Sequence, residues 1–360
     1  MNVRLNTVMA ALCLLMAFAG GCATTPRPEP GPGPLPDDAW RGLHIYLSNR
    51  ADLPIMIRAL EEELAPRGLN MLIVEVDFNF QYTSHPELAS ETGMNKEDVR
   101  QLLEVCRRLG IELIPQFQCF GHQGHRPNIF LRTYPEFMAP PEPDYTDPDH
   151  YHVSWNPLDP RVNEIIFDLF DELIEAFEPT YFHVGMDEVM LFPDETTPYY
   201  NGESPAEIFA KAANDYHDYL VKEKGLTMMM WGDRLIDQEE IRYNRFESSD
   251  NGTAPAVDMI PKDIIICDWH YNRMDDYPSI GYFQEKGFRV WPATWRSPTA
   301  ALALFESAER QDQGQMLGFM CTTWCGVGDF ARAILDESRY DGPSIPKRVA
   351  ETFRVVSDHW

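Results

Sequence analysis

The run Tyr181-Phe182-His183-Val184-Gly185-Met186-Asp187-Glu188 puts two adjacent carboxylates at the end of a short β-prone stretch. Strand side chains alternate faces, so His183, Gly185 and Asp187 share one face, and Glu188 falls at or just past the strand end. Gly185 leaves room for a close approach to the backbone. Two crowded carboxylates push each other's pKa values apart, so one stays ionised while the other holds a proton near neutral pH. That is the equipment of an acid/base pair. The plainer alternative is a charged pair opening a helix, where Asp and Glu complement the macrodipole. The whole pattern, His-x-Gly-x-Asp-Glu after a strand, favours the catalytic reading.

An acid/base pair needs a scaffold that holds it. Apolar runs that read as strands are Gly42–Leu47, Asn70–Val76, Glu112–Phe117, Tyr181–Met186, Thr227–Trp231, Ile264–Trp269, Arg289–Ala293 and Leu317–Thr323. Amphipathic stretches alternate with them: Leu53–Arg67, Lys96–Leu109, Arg161–Phe177, Pro205–Lys224, Tyr277–Lys286, Thr299–Gln311 and Ile345–His359, with Gln238–Arg245 as the candidate for a fifth helix. Near-continuous apolar strands separated by helices imply a parallel sheet covered on both faces. Eight such units predict an α/β fold, the (β/α)8 TIM barrel, as a single catalytic domain. The alternative is an open doubly wound sheet. No Gly-rich phosphate turn follows any strand, so no nucleotide cofactor is expected.

A barrel of this kind carries its active site at the C-terminal ends of its strands. The residues there are Ser48, Asn49 and Arg50; Glu75, Asp77 and Asn79; Gly121 and His122; Asp187 and Glu188; Trp231 and Asp233; Asp268, Trp269, His270 and Tyr271; Trp295 and Arg296; and Trp324. Tryptophan ends four of the eight strands. Aromatic walls with carboxylates around them suit a sugar, whose ring has apolar C–H faces and polar edges. The segment from Gly121 to Asn156 is too long for an ordinary connection and is expected to shape the site.

These residues resemble glycoside hydrolase family 20, the β-N-acetylhexosaminidases. His183-Val184-Gly185-Met186-Asp187-Glu188 is similar to the family's His-x-Gly-Gly-Asp-Glu, with Met186 for the second glycine. His85-Pro86-Glu87-Leu88 resembles its Phe-Pro-Glu-Leu, and Trp231-Gly232-Asp233 its Trp-Asp-Asp. Pro115-Gln116-Phe117-Gln118-Cys119-Phe120-Gly121-His122 looks most like the short single-domain, hexosaminidase D-like branch, without the family's N-terminal α/β domain. The resemblance implies a substrate-assisted retaining mechanism, outside the usual two-carboxylate rule, and removal of terminal N-acetylglucosamine or N-acetylgalactosamine from glycans. It implies Glu188 as acid and base and Asp187 as the group that orients and stabilises the substrate acetamide. Trp231, Trp269 and Trp324 would wall the acetamide pocket, His122 and His183 would support the pair or contact sugar, and Trp295, Asp233, Arg50 and Asp77 complete the expected substrate side.

The chain departs from the family in places. Arg50 stands one place out of register with the strand-one Arg that binds sugar hydroxyls. Gly326 stands where a Glu often follows the strand-eight Trp. The strand-seven Tyr has no clear match, and Trp295-Arg296 occupies that region. Two other readings stay open: a retaining glycosidase with a protein nucleophile, Asp233 or Asp268, and a non-catalytic glycan-binding surface lipoprotein.

The N-terminal residues are expected to stand outside the fold. Arg4, the apolar core Val8–Phe18 and Ala19-Gly20-Gly21-Cys22 read as an export signal, residues 1–22, with a lipobox-like cysteine. Residues 23–37 are a Pro/Gly-rich linker, and residues 38–360 the barrel, roughly 320 residues. The expectation is an exported bacterial lipoprotein, periplasmic or at the cell surface, held to the membrane through Cys22 alone. A formal net charge of −27 argues against nucleic acid as a partner and makes a membrane surface repel the domain itself. Of seven cysteines, Cys13 and Cys22 lie in the signal; the odd number left implies free thiols, and Cys321 with Cys325 lacks the matching pair of a metal site. No metal is expected.

Overall fold

The computed structural model describes residues 35–124, 129–139, 152–336 and 339–360. The signal core, Cys22 and most of the linker lie outside these residues. Eight parallel strands close a barrel in chain order: β1 Trp40–Tyr46, β2 Met71–Glu75, β3 Glu112–Cys119, β4 Tyr181–Gly185, β5 Thr227–Trp231, β6 Ile265–Trp269, β7 Arg289–Thr294 and β8 Gly318–Thr322. Because β8 pairs with β1, the open sheet is excluded. Each strand lies within two residues of its expected limits.

Alternation along the strands builds two apolar layers. On β5, Met228 and Met230 face outward into the layer shared with the helices, while Met229 and Trp231 face the barrel interior. On β6, Ile266 faces outward and Ile265, Cys267 and Trp269 inward. Trp291 fills the lower interior, and only a glycine fits opposite it: a Cβ on Gly42 would stand 2.1 Å from its ring.

The helices are α1 Leu53–Ala59, α2 Lys96–Leu109, the short α3 Phe130–Thr133, α4 Pro160–Phe177, α5 Pro205–His217, α6 Ser279–Glu285, α7 Pro298–Gln311, α8 Val327–Leu335 and α9 Ser344–Ser357. α2 opens with a capping box between Asn95 and Asp98. The stretch expected as one helix over 53–67 changes pitch after Ala59, through a π turn at Leu60–Leu64 and a 3-10 turn at Ala65–Arg67. Pro66 has no N–H to continue the α ladder. α8 is not among the expected helices, although Val327, Phe330, Ala331 and Ile334 recur at helical spacing and are buried. No helix among the described residues is long and apolar enough to cross a membrane. Where the chain enters the barrel, Leu35 donates its N–H to the His359 carbonyl at 3.1 Å, so the two ends of the domain lie together.

The expected fifth helix at Gln238–Arg245 is not formed; those residues are turns and loop. The chain at the end of this loop closes on Arg234, fully buried just after β5. Its Nε donates to Asp233 Oδ2 at 2.8 Å, and its Nη2 donates to the carbonyls of Arg245, Phe246 and Ser248 at 2.7, 3.1 and 2.6 Å. Only the last residue of the expected helix, Arg245, is among these acceptors, and the chain just beyond it wraps around the cation. This organises the loop that later supplies Glu247 to the cleft. Arg234→Met is expected to leave a buried carboxylate without its cation and three carbonyls without a donor, and to cost about 3–5 kcal/mol in a urea unfolding titration. A loss below 1 kcal/mol would mean that the loop does not depend on it.

Candidate active site

At the end of β4 the backbone turns left-handed at Gly185 (φ 67°), Met186 (φ 69°) and Glu188 (φ 46°). A side chain at Gly185 would also collide with Gln118 Oε1, 2.0 Å from the position of a Cβ. Asp77, Phe120, His122 and Trp324 adopt positive φ as well, at the ends of β2, β3 and β8. Such conformations cost on the order of 1–3 kcal/mol each and persist only where the surroundings hold them. Here strain gathers at one rim of the barrel. The turn at Glu188 is held by its own N–H, which donates to Asp233 Oδ2 at 2.8 Å.

The result is a buried charge cluster. His122 Nε2 lies 3.3 Å from Asp187 Oδ2 and 3.6 Å from Glu188 Oε2. Burial disfavours the His122 cation, but the charges of Asp187, Glu188 and Asp233 outweigh it and raise the imidazole to about 9. Burial would likewise raise Asp187; the facing His122 cation, with Gln118 beside it, brings it below the usual aspartate value. Glu188 goes the other way. Burial first, then the negative charges of Asp187 and Asp233, raise it to about 7 against the pull of His122. At neutral pH the pair therefore holds one carboxylate and one exchangeable proton, the division expected of crowded carboxylates.

His122, His152 and Glu188 bring donor atoms within 4.8 Å of one another, the one grouping of metal-ligand type among the described residues. The five cysteines of the barrel are free thiols, four of them buried.

A cavity of about 650 Å³ opens over this pair, the size of a small-molecule site. Asp187, Glu188, His122, Asp77, Trp269, Trp295 and Trp324 line it. The indole N–H groups are all occupied by protein: Trp269 donates to Asp233 Oδ1 (3.1 Å), Trp295 to the Thr323 carbonyl (2.7 Å) and Trp324 to Tyr271 Oη (2.6 Å). Their rings are fixed, and what they offer a ligand is π surface. Asp77 accepts the Gln118 N–H at 2.7 Å, bracing β3 against β2.

Four of the expected site residues lie off the cavity wall. Trp231 is fully buried, one tier below: it pairs with Cys267, two residues short of Trp269, which is about 6–7 Å down the barrel. His183 is lower still, in register with Met229 and packed on Trp231 with centroids 4.6 Å apart. Its Nδ1 accepts the Gly185 N–H at 3.0 Å, and burial and then His44 hold it neutral, well below the usual range. Asp233 is buried beneath Glu188 and Trp269. Arg50 turns away to the capping residue Asp98, with Nε 3.0 Å from Oδ2, and does not reach the cleft.

Other lining residues come from positions the strand ends flag without assigning, Glu75 and Tyr271, and from segments with no such signal, Glu247 and Arg348. Glu75 accepts from His44 and Gln116 at 2.9 and 3.1 Å. Tyr271 sits at the centre of the aromatic wall, its ring 4.9 Å from that of Trp269 and 5.4 Å from that of Trp295. Glu247 is held by His270 Nδ1 at 2.7 Å and by Asn244 Nδ2 at 2.7 Å. The His270 ring is clamped on its other nitrogen by Asp268; burial opposes its charge, but these two carboxylates raise it to about 9. Asp268 itself is buried, hydrogen-bonded to Ser279 Oγ at 2.6 Å, and does not line the cavity.

The model of glycosyl hydrolase family 20, catalytic domain, matches residues 74–326. A lacto-N-biosidase of Bifidobacterium bifidum is 24% identical over 195 residues, 51% of this chain and 16% of that protein. A β-hexosaminidase of Emericella nidulans is 23% identical over 265 residues, 66% of this chain and 40% of that one. The chain thus spans well under two thirds of these curated relatives. The chitobiase of Flavobacterium johnsoniae superposes with a TM-score of 0.55 at 17% identity, over 89% of this chain and 52% of that one, which is a likeness of fold.

The electrostatics of the cluster can be tested without substrate. The His122 imidazole is expected to titrate at about 9 by NMR. Asp187→Asn removes the carboxylate that most favours the cation and leaves the burial that disfavours it, so the His122 value is expected to fall by at least one unit. An unchanged value would place the source of the shift elsewhere.

Proposed function

Because the chain belongs to glycosyl hydrolase family 20, we propose that it is an exo-acting β-N-acetylhexosaminidase that releases terminal N-acetylglucosamine or N-acetylgalactosamine from glycans by a substrate-assisted retaining mechanism. The observation that carries the reading is the division of the adjacent pair, with Asp187 below its usual value and Glu188 raised to about 7, on a cavity walled by indole faces.

In the first step the protonated Glu188 gives its proton to the glycosidic oxygen. The bond from that oxygen to C1 breaks, and the substrate's own acetamide oxygen forms a bond to C1. The positive charge that develops on the acetamide faces the Asp187 carboxylate, fixed in place by His122. In the second step Glu188 takes a proton from water, the water oxygen adds to C1, and the acetamide is released. Two displacements at C1 retain its configuration. A nucleophile already attached to the substrate needs no further encounter, and its effective concentration is correspondingly high.

The two alternatives have less support. Asp233, a proposed nucleophile, lies beneath the cavity with its oxygens taken by Glu188 N–H, Trp269 Nε1 and Arg234 Nε, and Asp268 is turned to Ser279 and His270. A binding protein without turnover has no use for a carboxyl held protonated near neutrality beside an ionised one. The discriminating experiment compares an aryl N-acetyl-β-glucosaminide with the matching plain glucoside. Only the N-acetyl sugar should turn over, and a thiazoline that mimics the cyclic intermediate should inhibit competitively. Equal cleavage of both would favour a protein nucleophile, and cleavage of neither a binding protein.

The protonation states fix the pH profile. Glu188 acts first as an acid, so kcat/KM is expected to fall as pH rises through about 7. Asp187 must be ionised, so the acid limb lies below the usual aspartate value. Glu188→Gln is expected to slow unactivated substrates roughly 10²–10⁴-fold and to abolish the basic limb. A variant that keeps that limb would remove Glu188 from the proton transfer.

We also propose that the chain is an exported lipoprotein attached through Cys22, periplasmic or at the cell surface. The support is sequence alone: the apolar core, the small residues before Cys22 and the Pro/Gly tether after it. Cys22→Ala protein is expected to leave the membrane fraction; retention there would reject lipidation at this residue.

A further inference from the structure

His122, His152 and Glu188 come from separate parts of the chain and meet at the acid. His122 follows β3, Glu188 follows β4, and His152 lies in the long connection between those strands. The ring centroids of the two histidines are 5.9 Å apart, and the His152 ring stacks on Phe246 with centroids 6.1 Å apart. Each of the three residues offers a donor atom, and the three atoms lie within 4.8 Å of one another. Two imidazoles and a carboxylate suit a transition metal, whereas magnesium and calcium prefer surroundings of oxygen alone.

Two ligands of one tetrahedral zinc, at bonds of about 2.1 Å, stand roughly 3.4 Å apart. His122 Nε2 and Glu188 Oε2 are 3.6 Å apart. His152 completes the set by closing at most about 1.4 Å, the difference between 4.8 Å and that spacing, which a small turn of a half-buried side chain supplies. Three protein ligands leave the fourth position to water, and the cavity over the pair is the path by which an ion enters. Charge favours that entry. Glu75, Asp77, Asp187, Glu188 and Glu247 line the cavity, on a chain with 57 acidic residues against 30 lysines and arginines. The arginines that line it, Arg273, Arg296 and Arg348, come from segments after β6, β7 and β8, while the cluster sits at the ends of β3 and β4. A cleft of this charge concentrates cations.

We propose that His122, His152 and Glu188 form an inhibitory site for Zn²⁺ or a similar transition-metal ion; its inhibitory sense rests on the hexosaminidase reading. Coordination takes the place of the protons on His122 Nε2 and on the Glu188 carboxyl, and the displaced protons pass to solvent. A Glu188 bound to metal cannot protonate a glycosidic oxygen, and a His122 bound to metal no longer holds Asp187. The ion thus disarms the pair without any movement of the barrel. His152 supplies the third ligand and takes no part in the two-step chemistry, so the metal site and the reaction can be separated at that residue.

The test is calorimetry of the full chain, stripped with a chelator, against zinc chloride and magnesium chloride, alongside hydrolysis of the aryl N-acetyl-β-glucosaminide. Zn²⁺ is expected to bind at one strong site and Mg²⁺ to leave it empty. Co²⁺ in the same site should show the visible absorption of imidazole coordination. Loss of a ligand costs at least as much as loss of a group that supports one, so His152→Gln is expected to weaken Zn²⁺ on the order of 10–100-fold while keeping its metal-free turnover. His152→Cys, which restores a ligand, is expected to recover tight binding. Zn²⁺ should inhibit the wild type, a chelator should reverse this, and His152→Gln should lose inhibition in step with binding. Absence of Zn²⁺ binding, equal binding of Mg²⁺, or a His152→Gln variant that binds Zn²⁺ and is inhibited like the wild type overturns the proposal. The last result would put the ion on other carboxylates or on thiols. Metal binding is read without turnover, so a protein that binds Zn²⁺ through His152 but cleaves no N-acetyl sugar removes the hexosaminidase reading and leaves the metal site standing.

Discussion

Asp233 is the group on which the site hangs. Its two oxygens accept the N–H of Glu188, the indole N–H of Trp269 and the Nε–H of Arg234. One buried carboxylate thereby joins the acid, the aromatic wall and the loop after β5. Each bond answers a separate need. The Glu188 contact holds a left-handed backbone that a non-glycine residue resists. The Trp269 contact fixes a ring face toward the cavity. The Arg234 contact neutralises a charge whose desolvation would otherwise be prohibitive. A residue that never touches the cavity thus sets the geometry of three that shape it.

The same burial works in opposite senses on neighbouring groups. Taking Asp187 and Glu188 out of water raises both carboxyls, yet only Glu188 ends raised. The difference comes from His122, 3.3 Å from one and 3.6 Å from the other, and from the extra negative charge of Asp233 beside Glu188. The imidazolium is in turn sustained by the carboxylates it separates. The cluster is therefore a single electrostatic unit, and the proton that chemistry needs is kept where the field of its neighbours is most negative.

Most of the barrel was legible because alternation and apolar runs report burial directly, and β5 with its Met228–Met230 run shows how closely. The adjacent carboxylates and His122 were legible because strand ends define the rim. Depth was not. Trp231 and Trp269 both end strands, but the stagger between β5 and β6 sets one beneath the other, and stagger is a property of paired strands that a single strand cannot express. Gln238–Arg245 is loop rather than helix, and nothing in that window announces that the chain at its end folds onto Arg234. Arg50 failed because its partner Asp98 is 48 positions away. Glu247 and Arg348 come from a loop and the last helix, where nothing local marks a side chain as facing the cleft.

The hydrogen bond between Leu35 and His359 has a consequence for chain connectivity. β1 begins and α9 finishes at the end of the barrel opposite the cleft, and that bond brings the two chain directions side by side. The path of the backbone is nearly a closed loop, so the order in which the eight units are strung matters less than their cyclic sequence. Residues 35 and 359 thus meet at the far pole from the chemistry. Fusion, tethering or permutation at that pole leaves the mouth of the barrel free, and the cleft is in this sense indifferent to what the chain is joined to.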